Sequence, residues 1–291
     1  MSYLVQQLLN MLQLGSLYAL IAIGYTMVYG VLSLINFAHG DLFMLGAFLF
    51  FIVITLLKLP FIPALIITTA LSACMGVLTE RLAYRPLRNA PKMSAIITAL
   101  GVGVFLENFT LALSPYPQHI PETVTNRAWL IGNVTMSSIQ AMIIAVSVTL
   151  MLILDFIVKK TRFGMAIRAI SWDRVSVPLM GIPVNRIISQ TFALGAGLGG
   201  AAGVMYSSAY PVIDPYMGIM VGWKAFISAV VGGIGNVRGA MLGGYILGTV
   251  EIAVTMFLPS TYRDIVAFTL LLILLIFRPH GILGVPRSVK L

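Results

Sequence analysis

Charged side chains within or at the edge of otherwise apolar stretches include Asp41, Glu107, Lys224 and Glu251. A charge surrounded by hydrocarbon is costly unless it is paired or reached by water, so such residues mark ion or substrate paths, or buried ion pairs. Glu107 and Glu251 are too isolated to form a proton relay. The sequence therefore predicts that neither couples transport to protons, and that each has a polar neighbour or access to water. His39 is either a proton relay or a hydrogen-bonded loop residue. His119 and His280 are far apart and no cysteine neighbours them, so no metal spacing exists. Cys74 is the single cysteine and forms no internal disulfide. There is no G-x-x-x-x-G-K-[ST] phosphate loop and no Gly-Lys dipeptide, so ATP hydrolysis by that route is excluded. No Ser/His/Asp arrangement for nucleophilic catalysis is evident.

Two segments interrupt apolar runs with polar groups and glycines: Ile35-Asn36-Phe37-Ala38-His39-Gly40-Asp41, and residues 232–239 around Asn236. Each leads into an apolar run containing glycine (Met44-Leu45-Gly46 and Met241-Leu242-Gly243), a short likeness that would fit an internal repeat. Freed backbone groups at broken helices bind polar ligands, which makes Asn36, His39, Asp41 and Asn236 candidate residues of a translocation path. The glycine clusters at 195–203 and 232–244 have two readings. Small residues four apart let helices pack closely, or they end half-helices beside a path.

The elements that must position these groups follow from composition. Of 291 residues, 59% are hydrophobic and 9% charged, against about 25% charged in a soluble domain. A soluble enzyme, a disordered protein and a secreted disulfide scaffold are excluded; the chain is an all-α, polytopic membrane protein. Nine apolar runs approach the ~20 residues of a membrane span: 12–35, 41–57, 63–79, 93–113, 137–158, 187–208, 218–233, 240–257 and 261–278. The seventh is the weakest, being short and containing Lys224, so eight or nine transmembrane helices are expected in one domain spanning 1–291. Gln6, Gln7, Asn10 and Gln13 precede the first span as an interfacial turn or as its polar first turn. No Lys or Arg precedes Lys58, so the start lacks the basic region of a cleaved signal and the first run is expected to be retained.

Net charge is +9, from 18 basic and 9 acidic residues. Thirteen of the basic residues lie in 79–92 (Arg81, Arg85, Arg88, Lys92), 159–186 (Lys159, Lys160, Arg162, Arg168, Arg174, Arg186) and 278–291 (Arg278, Arg287, Lys290). That clustering between spans is the positive-inside pattern and argues against nucleic-acid binding. It sets these segments and the C-terminus in the cytoplasm, with the N-terminus outside.

Residues 14–30, from Leu14-Gly15-Ser16-Leu17-Tyr18 to Met27-Val28-Tyr29-Gly30, continue into Asn36-Phe37-Ala38-His39-Gly40-Asp41. This stretch closely resembles the LivH-type permease subunit of bacterial branched-chain amino-acid ABC importers. Glu80-Arg81-Leu82-Ala83-Tyr84-Arg85-Pro86-Leu87-Arg88, Lys224-Ala225-Phe226, Val231-Gly232-Gly233-Ile234-Gly235 and Gly281-Ile282-Leu283-Gly284 extend the likeness over essentially the whole chain. The resemblance implies the ABC importer permease fold and amino-acid uptake across the bacterial inner membrane. The implied partners are a homologous second permease subunit, two cytoplasmic ATPase subunits that bind ATP and Mg, and a periplasmic substrate-binding protein.

It also implies a cytoplasmic coupling loop, here about 159–186. Arg168, Trp172, Asp173, Arg174, Leu179, Met180 and Gly181 are its candidate contacts with an ATPase. The family places small and acidic residues where this chain has Val175 to Pro178, while Gly181-Ile182 is retained. The residues alone are compatible with docking, since Ile167, Ile170, Trp172, Val175, Leu179 and Met180 give the loop an apolar surface that a simple linker does not need. A short helix is expected there, with Gly181 turning the chain back towards the membrane. The alternatives are a solvated basic loop, an ion-coupled secondary transporter or channel using Glu107, Glu251 or Asp41, a membrane scaffold, or an ABC permease for urea or short amides.

Overall fold

A computed structural model describes residues 2–88, 90–122, 124, 126–131, 134–174 and 176–284. Val175, Arg287 and Lys290 lie outside the described residues. Each of the nine apolar runs is a helix: α1 (Ser2–Leu32), α2 (His39–Leu57), α3 (Phe61–Thr79), α4 (Lys92–Leu113), α5 (Ser138–Lys160), α7 (Val184–Ala209), α8 (Met217–Gly232), α9 (Val237–Phe257) and α10 (Tyr262–Phe277). Between α5 and α7 lies α6 (Arg162–Trp172), followed by a 3-10 turn at Val177–Met180. Seven of the described helices are long and apolar enough to cross a membrane. Helices α8 and α10 have 16 residues each, about 24 Å at 1.5 Å per residue, short of a ~30 Å hydrocarbon core.

Local chemistry sets the boundaries. The Ser137, Thr161 and Asn236 side chains accept backbone N–H bonds at the starts of α5, α6 and α9, satisfying donors that a first turn leaves free. Helix α1 starts ten residues earlier than the apolar run alone predicts, because its polar first turns are tied down. Gln6 accepts from the Thr135 amide at 3.1 Å, and Asn10 accepts from the Gln140 amide group at 3.1 Å. Helix α3 continues through a π-helical turn, Glu80–Tyr84, so the first basic segment begins as helix rather than as loop. Two short antiparallel pairings lie in the connections between helices: β1 (Gln118–His119) with β4 (Val212–Ile213), and β2 (Ala128–Ile131) with β3 (Val134–Ser137).

Helix α1 is the centre of the bundle, packed against α9, α7, α8 and α5. Glycine is what lets these helices approach. A Cβ on Gly248 would lie 2.5 Å from the Gly15 amide nitrogen, and one on Gly200 would collide with Ser72 of α3. Gly46 abuts the Gly200 backbone and Gly203 that of Phe43, so α2 crosses α7 in near-backbone contact. Close packing therefore accounts for Gly200 and Gly203 of the 195–203 cluster.

Candidate functional site

The connection from α1 to α2 doubles back into the bundle. Helix α1 runs to Leu32, yet His39, the first residue of α2, lies against Gly24, eight residues or about 12 Å further up α1. The N-terminus of α2 is consequently buried, with His39, Gly40 and Asp41 all inside the protein. Gly40 fits there because α8 presents only glycine, and a Cβ on Gly40 would lie 2.9 Å from the Gly222 Cα.

Asp41 is 5% exposed. Its carboxylate fills space left by Gly103 of α4, whose missing Cβ would stand 2.5 Å from Asp41 Oδ2. Glu107, one turn further along α4, lines the same cavity as Asp41. Two carboxylates bordering one cavity repel each other and favour a cation between them. They border a cavity of about 120 Å³ whose walls include Tyr25, Phe37, Trp223 and Phe226. The rings pack on one another, with Phe37 5.8 Å from Trp223 and 6.2 Å from Phe226. The cavity thus offers negative charge on one side and aromatic surface on the other.

Of the four candidate path residues, only Asp41 lines this cavity. His39 packs behind it, edge-on to Tyr25 with ring centroids 4.6 Å apart. Asn36 anchors the doubled-back connection, its Oδ1 accepting from Tyr84 Oη at 2.5 Å. Asn236 is elsewhere: it caps α9, accepting from the Arg238 and Gly239 amides and donating to Leu283 O at 2.8 Å. Sequence reasoning passed over the aromatic wall, although Trp223 and Phe226 stand three apart on one helix, the spacing of a shared face.

Lys224, Glu251 and Asp264 form a charged cluster joining α8, α9 and α10. Lys224 Nζ is 3.1 Å from Glu251 Oε1 and 2.9 Å from Asp264 Oδ1, and Tyr18 of α1 donates to Glu251 Oε2 at 3.1 Å. Glu251 has the polar neighbours that its burial demands, and Glu107 is only half-buried. At the arginine-bearing end, Asp155 of α5 holds Arg238 of α9 through two bonds of 3.2 Å.

In the 159–186 segment, α6 is amphipathic, and its apolar face turns inward. Ile167 and Ile170 are buried, so they pack on the chain's own bundle and do not belong to an exposed docking surface. Trp172, Leu179 and Met180 do face outward, at 82%, 89% and 77% exposed. Arg168 donates to the carbonyl of Val158 and Asp173 Oδ1 accepts from the Ser176 amide at 3.1 Å. Gly181 ends the 3-10 turn in the left-handed region at φ 78°.

Residues 7–275 match the family model described as branched-chain amino acid transport system / permease component. The chain belongs to this family. It is 40% identical to the high-affinity branched-chain amino acid transport system permease protein LivH of Salmonella typhimurium, over 99% of this chain and 98% of that protein. Identity to LivH of Escherichia coli K12 is 39% over the same shares. The BraD permease protein of Pseudomonas aeruginosa is 40% identical over 98% of this chain and 97% of its own. As a permease component, the chain is a multi-pass membrane protein, and its apolar helices are the spans.

Proposed function

We propose that this permease forms one half of the membrane channel of an ATP-driven importer for leucine, isoleucine and valine. Near-full-length likeness to permeases named for high-affinity branched-chain amino acid transport supports the substrate class. The observation that carries the reading at the level of residues is the cavity at the start of α2. The Asp41–Glu107 pair suits the substrate's ammonium, and the aromatic wall suits its aliphatic chain. In this reading the basic end faces the cytoplasm, as the positive-inside pattern requires, in the bacterial inner membrane. A second permease subunit closes the channel, and a periplasmic binding protein delivers the substrate. Two ATPase subunits bind ATP and Mg, and one of them docks on the outward-facing Trp172, Leu179 and Met180 of this chain.

The test is uptake by the reconstituted complex, screened with branched-chain amino acids, urea and short amides. ATP-dependent accumulation of the branched-chain amino acids in preference to the amides is expected. A carboxyl pair in a membrane cavity would also serve an ion-coupled carrier. Uptake that needs no ATP and collapses with a protonophore would replace the importer reading by that one.

A further inference from the structure

A second, larger cavity lies at the basic end of the seam between α3 and α7. It measures about 1270 Å³, and five arginines line it: Arg81, Arg85, Arg88, Arg174 and Arg186. No acidic side chain is among its described lining residues. Glu80 stands beside it, buried and already taken by Arg88 and Ser189. The arginines are incompletely satisfied. Arg88 Nε and Arg174 Nη2 are buried with no hydrogen-bond partner. Burial holds the Arg88 guanidinium below its ordinary pKa, although Glu80 opposes the shift. Arg174 is lowered as well, by burial and then by repulsion from Arg88. A concentration of positive charge left this way calls for an anion.

The depth of the cavity says which kind. Its lining runs along α7 from Val184 to Ala193 and includes Val77 and Ile188, so it climbs about 14 Å into the span. Its mouth is cationic, and its inner wall mixes apolar Val77, Ile188 and Ala193 with Ser189 and Gln190. An acidic protein surface would meet the mouth and leave the inner wall bare, whereas a phospholipid would use both. On the α3 face that carries Arg81, exposed Leu78 and Leu82 continue the apolar surface along which acyl chains would lie.

We infer that this cleft binds the phosphodiester headgroup of an anionic phospholipid, with its glycerol end and upper acyl chains between α3 and α7. Basic pockets between spans on the cytoplasmic side commonly hold such headgroups, and the inner-leaflet source rests on the orientation proposed above.

The test uses the purified complex in nanodiscs of phosphatidylcholine with increasing phosphatidylglycerol or cardiolipin. Native mass spectrometry reads retained lipid, and the thermal midpoint reads stabilisation. Variants Arg85→Gln, Arg174→Gln and Arg186→Gln, alone and together, leave the Arg88–Glu80 pair intact. Wild type should retain anionic lipid and gain stability with its mole fraction, and each substitution should lower retention about fivefold. Equal retention by wild type and the triple variant would overturn the assignment, as would a wild-type midpoint indifferent to anionic lipid. Equal stabilisation by inorganic phosphate in pure phosphatidylcholine discs would reassign the cleft to a free phosphate. Unchanged lipid retention with lost ATPase co-purification would give the cleft to the ATPase. Orientation is read separately, by a reporter fused to the C-terminus, so its failure is distinguishable from failure of the lipid site.

Discussion

Asp41 and Glu107 come from helices that are far apart in sequence, and they meet only because α2 begins inside the bundle. If they hold the substrate ammonium, Asp41→Asn and Glu107→Gln should each reduce leucine uptake by roughly tenfold or more, the worth of a charge-assisted hydrogen bond. Complex assembly should be unchanged, and a protonophore should not alter wild-type uptake while ATP is maintained. Unchanged uptake by the double variant would remove both residues from the path. Gly181 supports a second residue-level prediction. A Cβ there would meet nothing within 4 Å, so the φ of 78° alone restricts the position. Asn tolerates that conformation and β-branched residues do not. Gly181→Asn should keep uptake coupled to ATP hydrolysis, whereas Gly181→Val should insert normally and uncouple it. Trp172→Asp should do the same, and cysteines at Trp172, Leu179 and Met180 should cross-link to the ATPase. Asp41 was legible in the sequence as a charge at the head of an apolar run. Glu107 was legible in the same way, but its proximity to Asp41 was not, because no local periodicity reports that the α1–α2 connection folds back by about 12 Å.

At the level of elements, two features are open to test. Lys224 neutralises Glu251 inside the bundle, so Lys224→Met leaves a buried carboxylate unpaired, a loss of about 3–5 kcal/mol. The double variant Lys224→Met/Glu251→Gln should recover part of that stability, measured by thermal unfolding in detergent. The glycines divide in the same assay. Gly46→Val and Gly200→Val should prevent stable assembly, because each forces α2 and α7 or α3 apart. Gly101 faces open space, and Gly101→Ala should be neutral or stabilising by up to about 1 kcal/mol. Hydropathy runs gave every long helix to within a few residues except the start of α1, where polar side chains find partners on β3 and α5. Helix α6 was foreseen as a helix, but not the direction of its apolar face. Ile167 and Ile170 look alike to sequence whether they meet a partner or the bundle.

For the whole molecule, the distribution of charge was the most readable property. Arginines from segments as far apart as Arg81 and Arg186 gather at one end, as loop charge counting requires. The cleft they form was not readable, since it depends on how α3 leans on α7. The burial of α1 carries a consequence for synthesis. Helix α1 is buried without a break from Leu14 to Val28, and its broadest contact is with α9, which is completed about 225 residues after α1 ends. At 5–20 residues per second, the first helix made therefore waits roughly 10–45 s for its main neighbour. Through that interval Gly15, Ser16, Tyr18 and Ala19, which pack on α9 in the finished fold, stand open in the membrane to other chains. Correct assembly then depends on something that shelters a nascent helix, and production of this protein should respond to the supply of membrane insertase as strongly as to the stability of the finished fold.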